Sequence, residues 1–224
     1  MRRFARDNGL GLFFGAIFLL ALFFQAVAGH TGYNSDQLAH GGEAISFGRY
    51  LTSSDFGNAV MENWQSEYLQ FTLFILMTVF LIQRGSPESK QPAAAGTEGD
   101  RAQKIGRYAG KDSPLMARVG GAGTFLYSNS LVIVMGLIFL GSLFAQSVTG
   151  WTDYNDEQAD HQEPEASWNS YLGTAKFWEA TLQNWQPEFL AVGSMAVLAI
   201  YLRQRGSPES KPVGAPHDAT GVEG

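Results

Sequence analysis

Adding 121 to a residue number in the first half of this chain lands on its counterpart in the second half, without a gap from residue 4 to residue 90. Over that stretch 36 of 87 positions are identical. Asn8 matches Asn129, Gln25 matches Gln146, Tyr33-Asn34 match Tyr154-Asn155, Gln37 matches Gln158 and His40 matches His161. Tyr50-Leu51 and Phe56 recur as Tyr171-Leu172 and Phe177. Asn63-Trp64-Gln65-x-Glu67 recurs as Asn184-Trp185-Gln186-x-Glu188, and the octapeptide from Gln83 to Lys90 recurs unchanged from Gln204 to Lys211. Whatever one copy folds into, the other folds into as well. The expected organisation is a first repeat over residues 1–90, a linker over 91–124, a second repeat over 125–211 and a tail over 212–224.

Each repeat holds two apolar blocks. Residues 10–28 form a run of 19 with no charge and one strongly polar side chain, Gln25. As a helix this run spans roughly 28 Å, the thickness of a bilayer's hydrocarbon core. Residues 131–149 are its counterpart. Residues 68–82 and 189–202 are shorter, yet the segment from Trp64 to Arg84 reaches about 20 residues, with an aromatic anchor at one end and a cation at the other. No amphipathic segments remain to cover these blocks in a soluble core. The predicted fold is an all-α integral membrane protein: four transmembrane helices as two parallel tandem hairpins, with short helices in the two extracytoplasmic loops.

Arg2, Arg3 and Arg6 before an apolar run ending Ala26-Val27-Ala28 match the plan of a secretory signal peptide. The length of the run opposes cleavage. So does its recurrence mid-chain with Ser147-Val148-Thr149 in place of the small-residue end. The linker is rich in Gly, Ala, Pro and mixed charge and offers too little apolar surface to fold alone, so it is expected to be flexible and the tail disordered.

Charge orients the hairpins. Thirteen of the fifteen Lys and Arg residues lie at the N-terminus, within 84–118 or within 203–211; only Arg49 and Lys176 fall in the loops 30–67 and 150–188. The positive-inside rule places both termini and the linker in the cytoplasm. The loops then face outward with formal charges of about −4 and −7, which accounts for the overall charge of −6. A repeat with two spans inserts twice in the same sense, so the expected symmetry is a pseudo-twofold along the membrane normal.

The candidate ligand-binding residues are Asn63 and Glu67, their mates Asn184 and Glu188, and Gln25 and Gln146 at the outer ends of the partner spans. Asn63 and Glu67 are spaced to share a helix face, and a carboxylate one turn below an interfacial tryptophan is costly enough to suggest function. Pro187 disfavours helical geometry at Gln186, so the returning helix is expected to restart there, with Glu188 near its N-terminus. The competing reading makes Trp64 and Trp185 belt anchors, with Arg84 and Arg205 at the opposite headgroups, and gives the Asn, Gln and Glu groups to loop-to-helix hydrogen bonds. The loop motif Tyr33, Asn34, Gln37 and His40 recurs as Tyr154, Asn155, Gln158 and His161. Tyr33, Gln37 and His40 share one helical face, expected to lie in short helices on the outer membrane surface.

No cysteine is present, which removes disulfides, thiolate metal sites and cysteine nucleophiles. His40 and His161 together with the two glutamates have carboxylate-histidine chemistry but no recognised metal spacing, so no metal, cofactor or catalytic residue is expected. The repeated octapeptide lacks a glycine-rich phosphate cradle and reads as a cytoplasmic stop that breaks the helix. Nothing suggests nucleic-acid binding.

The residues Phe4-x-Arg6-Asp7-Asn8-Gly9-Leu10, Gln25, Gly29, Tyr33-Asn34-x-x-Gln37-x-x-His40, Tyr50-Leu51-Thr52-Ser53, Glu62-Asn63-Trp64-x-x-Glu67-Tyr68-Leu69-Gln70 and Gln83-Arg84-Gly85-Ser86 form one pattern. It resembles an uncharacterised family of small bacterial membrane proteins classed as a domain of unknown function. The resemblance covers both repeats and omits the linker and tail. The second copy departs from it at Ser128, Gln183 and Ala191. It implies a bacterial plasma-membrane location and brings no activity with it.

The functional expectation is a non-enzymatic envelope protein with the lipid bilayer, and another membrane or envelope protein, as partners. The spans carry no mid-depth charge and little polarity beyond Thr72, Thr78, Ser142 and Ser194, which argues against a transport path. The alternatives are a small-molecule or ion site, or a minimal transporter, at Glu67 and Glu188, and an outward-facing metal enzyme using His40, His161 and both glutamates.

Overall fold

In the computed structural model, which describes residues 2–224, every regular element among the described residues is helical. The helices are α1 (Arg2–Asp7), α2 (Gly9–Ala39), α3 (Phe47–Tyr50), α4 (Ser54–Phe80), α5 (Leu115–Arg118), α6 (Gly121–Ser128), α7 (Ser130–Asp160), α8 (Trp168–Tyr171) and α9 (Ala175–Tyr201). The linker adds two 3₁₀ turns, Pro92–Ala94 and Gly106–Tyr108.

The duplication in sequence is a duplication of elements. Helix α2 matches α7 at 31 residues each, α3 matches α8 at four each, and α4 matches α9 at 27 each. The bends before α2 and α7 have one cause. The backbone N–H and the side-chain Nδ2 of Asn8 both donate to the Phe4 carbonyl, at 3.0 and 2.9 Å. Asn129 does the same to Phe125, at 3.2 and 2.9 Å. A side-chain donor drawn into the helical ladder is a known source of such bends.

Two helices, α2 and α7, are long and apolar enough to cross a membrane. Only 6 % of the most apolar stretch of α2 is buried within the protein, against 17 % for α7. Leu10, Phe13, Phe14, Leu19 and Phe24 are each more than half exposed. A surface this apolar on so many sides of one helix suits hydrocarbon far better than water.

Three expectations about the helices are corrected. The motif from Tyr33 to His40 is not a separate surface helix: α2 runs through it without a break to Ala39. The short loop helices exist, but only as the four-residue α3 and α8. Pro187 does not restart the returning helix, because α9 passes through it from Ala175 to Tyr201. The proline removes a single donor to the carbonyl of Gln183, and Gln183 and Pro187 are both exposed, so that carbonyl has solvent or headgroups within reach. Glu188 therefore sits mid-helix, without the help of a helix N-terminus.

The chain divides into two compact units, one of Met1–Val60 with Val148–Trp168 and the other of Met61–Ser147 with Asn169–Gly224.

Candidate functional site

The loop motif is built in the first unit. The side-chain amide of Asn34 grips the backbone of Ile45: Oδ1 accepts its N–H at 2.8 Å and Nδ2 donates to its carbonyl at 3.1 Å. Asn155 makes the same pair with Ala166, at 2.9 and 3.1 Å. A second donor reaches each of these carbonyls. In the first repeat it is His30 Nε2, 2.7 Å from the Ile45 oxygen. In the second it is Trp151 Nε1, 2.7 Å from the Ala166 oxygen. A carbonyl only accepts, so the Ile45 contact is a hydrogen bond in the tautomer with the proton on Nε2, the nitrogen that also lies 2.9 Å from Asn34 Nδ2. The two side chains share no shape beyond a ring N–H, and that N–H is what the position retains.

Helix α2 ends in a Schellman motif. Gly42 N–H donates to the Gln37 carbonyl at 2.8 Å and Gly41 N–H to the Leu38 carbonyl at 3.3 Å, with Gly41 at φ +80. The second repeat repeats it through Glu163 and Gln162, whose φ of +60 is left-handed without a glycine. The side chain of Gln158 then donates to Glu163 at 2.9 Å. His40 lies at the helix end, exposed, with Nδ1 3.0 Å from the Asp36 carbonyl, and its mate His161 is likewise exposed.

The return into the next helix is capped alike in both copies. Ser53 Oγ accepts from Phe56 N–H and donates to the Tyr50 carbonyl at 2.7 Å. Thr174 Oγ1 accepts from Phe177 N–H and donates to the Tyr171 carbonyl at 2.7 Å. Tyr50 and Tyr171 are buried, each with its ring 5.5 Å from the phenylalanine six residues on. A Cβ at Gly29 would meet the Tyr50 hydroxyl at 2.1 Å, so only glycine leaves room for that ring. Burial, with the charge of Asp55 and a hydrogen bond to it, pushes the Tyr50 phenol up to about 12.

The outer-end motif is built in the second unit and is less symmetric. Gln65 is wholly buried; its Oε1 accepts from Trp185 Nε1 at 2.7 Å and its Nε2 donates to the Glu62 carbonyl at 3.1 Å. Its mate Gln186 is exposed. Gln146 is buried and donates to Thr181 Oγ1 at 3.3 Å, whereas Gln25 is exposed. Asn184 donates to the Ala180 carbonyl of its own helix at 2.9 Å. Asn63 is exposed, and its carbonyl accepts from Ser66 Oγ. Trp64 is half-buried with its ring 6.5 Å from that of Tyr68. Glu67 and Glu188 are close enough to feel each other's charge. Among the described residues no three His, Asp or Glu side chains gather as a metal site would require.

The two identical octapeptides fold identically. In each, the first residue's N–H donates to a serine Oγ six residues on, Gln83 to Ser89 and Gln204 to Ser210, both at 2.9 Å. Gly85 and Gly206 take positive φ at the turn. The loops are therefore folded turns, beyond the simple stop expected of them. Glu88 feels the charge of Glu209, its own mate, and burial first and that charge second push its carboxyl up. The tail, expected disordered, is described lying against the first loop. Gly85 N–H donates to Thr220 Oγ1 at 2.7 Å and Gly221 N–H to the Ser86 carbonyl at 3.0 Å. Arg84 and Arg205 are exposed at the starts of the loops.

With this geometry in place, comparison with known proteins gives one match: a family model described as a domain of unknown function (DUF6766) covers residues 1–222. The chain belongs to this family. The match runs through the linker and almost all of the tail, so the family pattern extends beyond the repeats to which the sequence resemblance was confined. No curated protein and no solved structure matches the chain.

Proposed function

We propose that this member of the family is a four-span protein of the bacterial plasma membrane, built as two parallel hairpins with both termini in the cytoplasm. Its role is non-enzymatic: an envelope interaction or structural protein that presents a rigid acidic outer face to another membrane or envelope protein. The observation that carries the reading is that residues come near their own repeat mates at two levels, midway along the returning helices and just beyond their C-terminal ends. Glu67 lies near Glu188 and Glu88 near Glu209, and Trp185 bonds to Gln65, one position from its mate Trp64. Mates meet at two heights only when α4 and α9 run the same way about a common axis. An inverted repeat would bring opposite ends together.

The shared polar side chains of the outer loops are spent on backbone. Asn34, Asn155, His30, Trp151, Ser53 and Thr174 all hold the chain to itself. That pattern supports a built surface in preference to a reacting one. The charges left on it are acidic, which suits a basic partner. The test combines two measurements. A Glu67→Cys, Glu188→Cys double variant should be joined within one chain by a bifunctional thiol crosslinker of about 10 Å reach, and amine-reactive crosslinking in native membranes should capture one recurrent protein. Failure of the intrachain crosslink removes the parallel arrangement; absence of any recurrent partner removes the interaction role.

The near approach of Glu67 and Glu188 favours one second reading, a site for a cation, a proton or a small polar ligand at the outer interface. It predicts that Glu67→Gln with Glu188→Gln abolishes ion-dependent stabilisation or flux while insertion is unchanged. Equal behaviour of variant and parent ends that reading.

A further inference from the structure

Where α4 ends, the structure holds a cleft of about 440 Å³ in the second unit, within the size range of ligand sites of roughly 300–1,000 Å³. Its walls are Arg84 from the foot of the first repeat, Gln91 and Pro92 from the start of the linker, and Asp218, Thr220 and Val222 from the tail. The apolar end of α4 leads directly to it, with Phe80 and Leu81 both more than 60 % exposed.

The tail wall is fixed in place. Thr220 Oγ1 accepts from Gly85 N–H at 2.7 Å and donates to the Asp218 carbonyl at 3.2 Å. The buried ammonium of Lys211 donates to the carbonyls of Pro216, His217 and Ala219, at 3.2, 2.7 and 3.2 Å, so its protons are committed to holding the turn that carries Asp218. One cation and one anion thus line a single cleft. Among the described residues neither Arg84 nor Asp218 sits in a close ion pair, with each other or with another side chain, although the Asp218 charge reaches the buried Lys211 ammonium.

We propose that this cleft binds the headgroup of a zwitterionic phospholipid with a primary amine, Arg84 taking the phosphate and Asp218 the ammonium, while the acyl chains lie along the end of α4. The proposal rests on the membrane reading above, which puts Arg84 at the cytoplasmic headgroups. A guanidinium fork suits phosphate oxygens. A primary ammonium has three N–H donors for a carboxylate, whereas a choline headgroup has none. Asp218 also repels a purely anionic headgroup. A basic cytoplasmic face acting only as a charged surface would instead enrich anionic lipid.

The full chain in nanodiscs of equal phosphatidylethanolamine, phosphatidylcholine and phosphatidylglycerol with matched acyl chains tests this, with retained lipid counted by native mass spectrometry. The expected result is retention of phosphatidylethanolamine over phosphatidylcholine by roughly tenfold, the scale of one charge-assisted hydrogen bond. Asp218→Asn should bring that ratio near one, Asp218→Glu should keep it, and Arg84→Gln should weaken retention of both. Equal retention by the parent protein, enrichment of phosphatidylglycerol, or an unchanged ratio in Asp218→Asn overturns the proposal. Displacement by soluble phosphoethanolamine without any lipid preference overturns the lipid assignment in favour of a free ligand. A chain that inserts with Arg84 on the cytoplasmic side but shows no preference fails here alone; one that does not insert fails the membrane reading.

Discussion

Asn34 holds Ile45 by both halves of its side-chain amide, accepting the N–H at 2.8 Å and donating to the carbonyl at 3.1 Å. This closes the chain after α2 as a backbone bridge would, with a side chain in place of a strand. Asn34→Ala should destabilise the first repeat by about 1–3 kcal/mol, because the Ile45 groups lose partners in a part-buried place. Asn34→Asp should cost a similar amount, since a carboxylate cannot donate to the carbonyl. Chemical denaturation in detergent, with Asn155→Ala as the parallel case, measures both.

His30 and Trp151 place one N–H on equivalent carbonyls. His30→Phe should therefore lower stability by about 1 kcal/mol, the usual worth of one hydrogen bond. His30→Trp should retain most of it. A thermal melt of the three proteins side by side decides the matter; equal loss in both variants would show that ring shape, and not the donor, is what counts.

The left-handed position after α2 is glycine in the first repeat and Gln162 in the second. A side chain there costs about 1 kcal/mol relative to glycine. Gln162→Gly should raise the melting temperature, and Gly41→Gln should lower it by a comparable amount.

The raised carboxyl of Glu88 gives a sign that can be checked. The folded protein binds this proton more tightly than the unfolded chain does. Stability then falls as pH rises from the ordinary carboxylate range through the raised value, and stays lower above it. Glu88→Gln should be more stable than the parent at neutral pH, and its stability should vary less between pH 4.5 and 7. Melting curves across that window would show it.

Much of this architecture was legible in sequence because it rests on side-chain identity. The offset of 121 predicts paired elements of equal length, and hydropathy finds α2 and α7. What escaped rests on backbone. Asn34 and Asn155 bind residues 45 and 166, one isoleucine and one alanine, so no identity marks the partner. His30 and Trp151 differ in every respect except a ring N–H, and a count of identical residues scores them as a mismatch. The Tyr33, Gln37 and His40 face drew attention by its spacing, yet the structural work falls to Asn34 beside it. Pro187 misled because local propensity penalises it, while one lost hydrogen bond at an exposed carbonyl is small against a 27-residue helix. The partnership of Gln65 with Trp185 crosses the repeats, and its counterpart at Gln186 is exposed. A repeat alignment cannot foresee where the two copies part ways.

The central claim is that two hairpins cross the membrane in the same sense. The absence of cysteine makes it directly measurable. Single cysteines at Glu43, Thr97, Glu163 and Gly214, all exposed, can be treated with a membrane-impermeant maleimide in intact cells and after permeabilisation. The account predicts labelling of Glu43→Cys and Glu163→Cys in intact cells, and of Thr97→Cys and Gly214→Cys only after permeabilisation. Labelling of Thr97→Cys in intact cells, or protection of only one of the two loop positions, would contradict it.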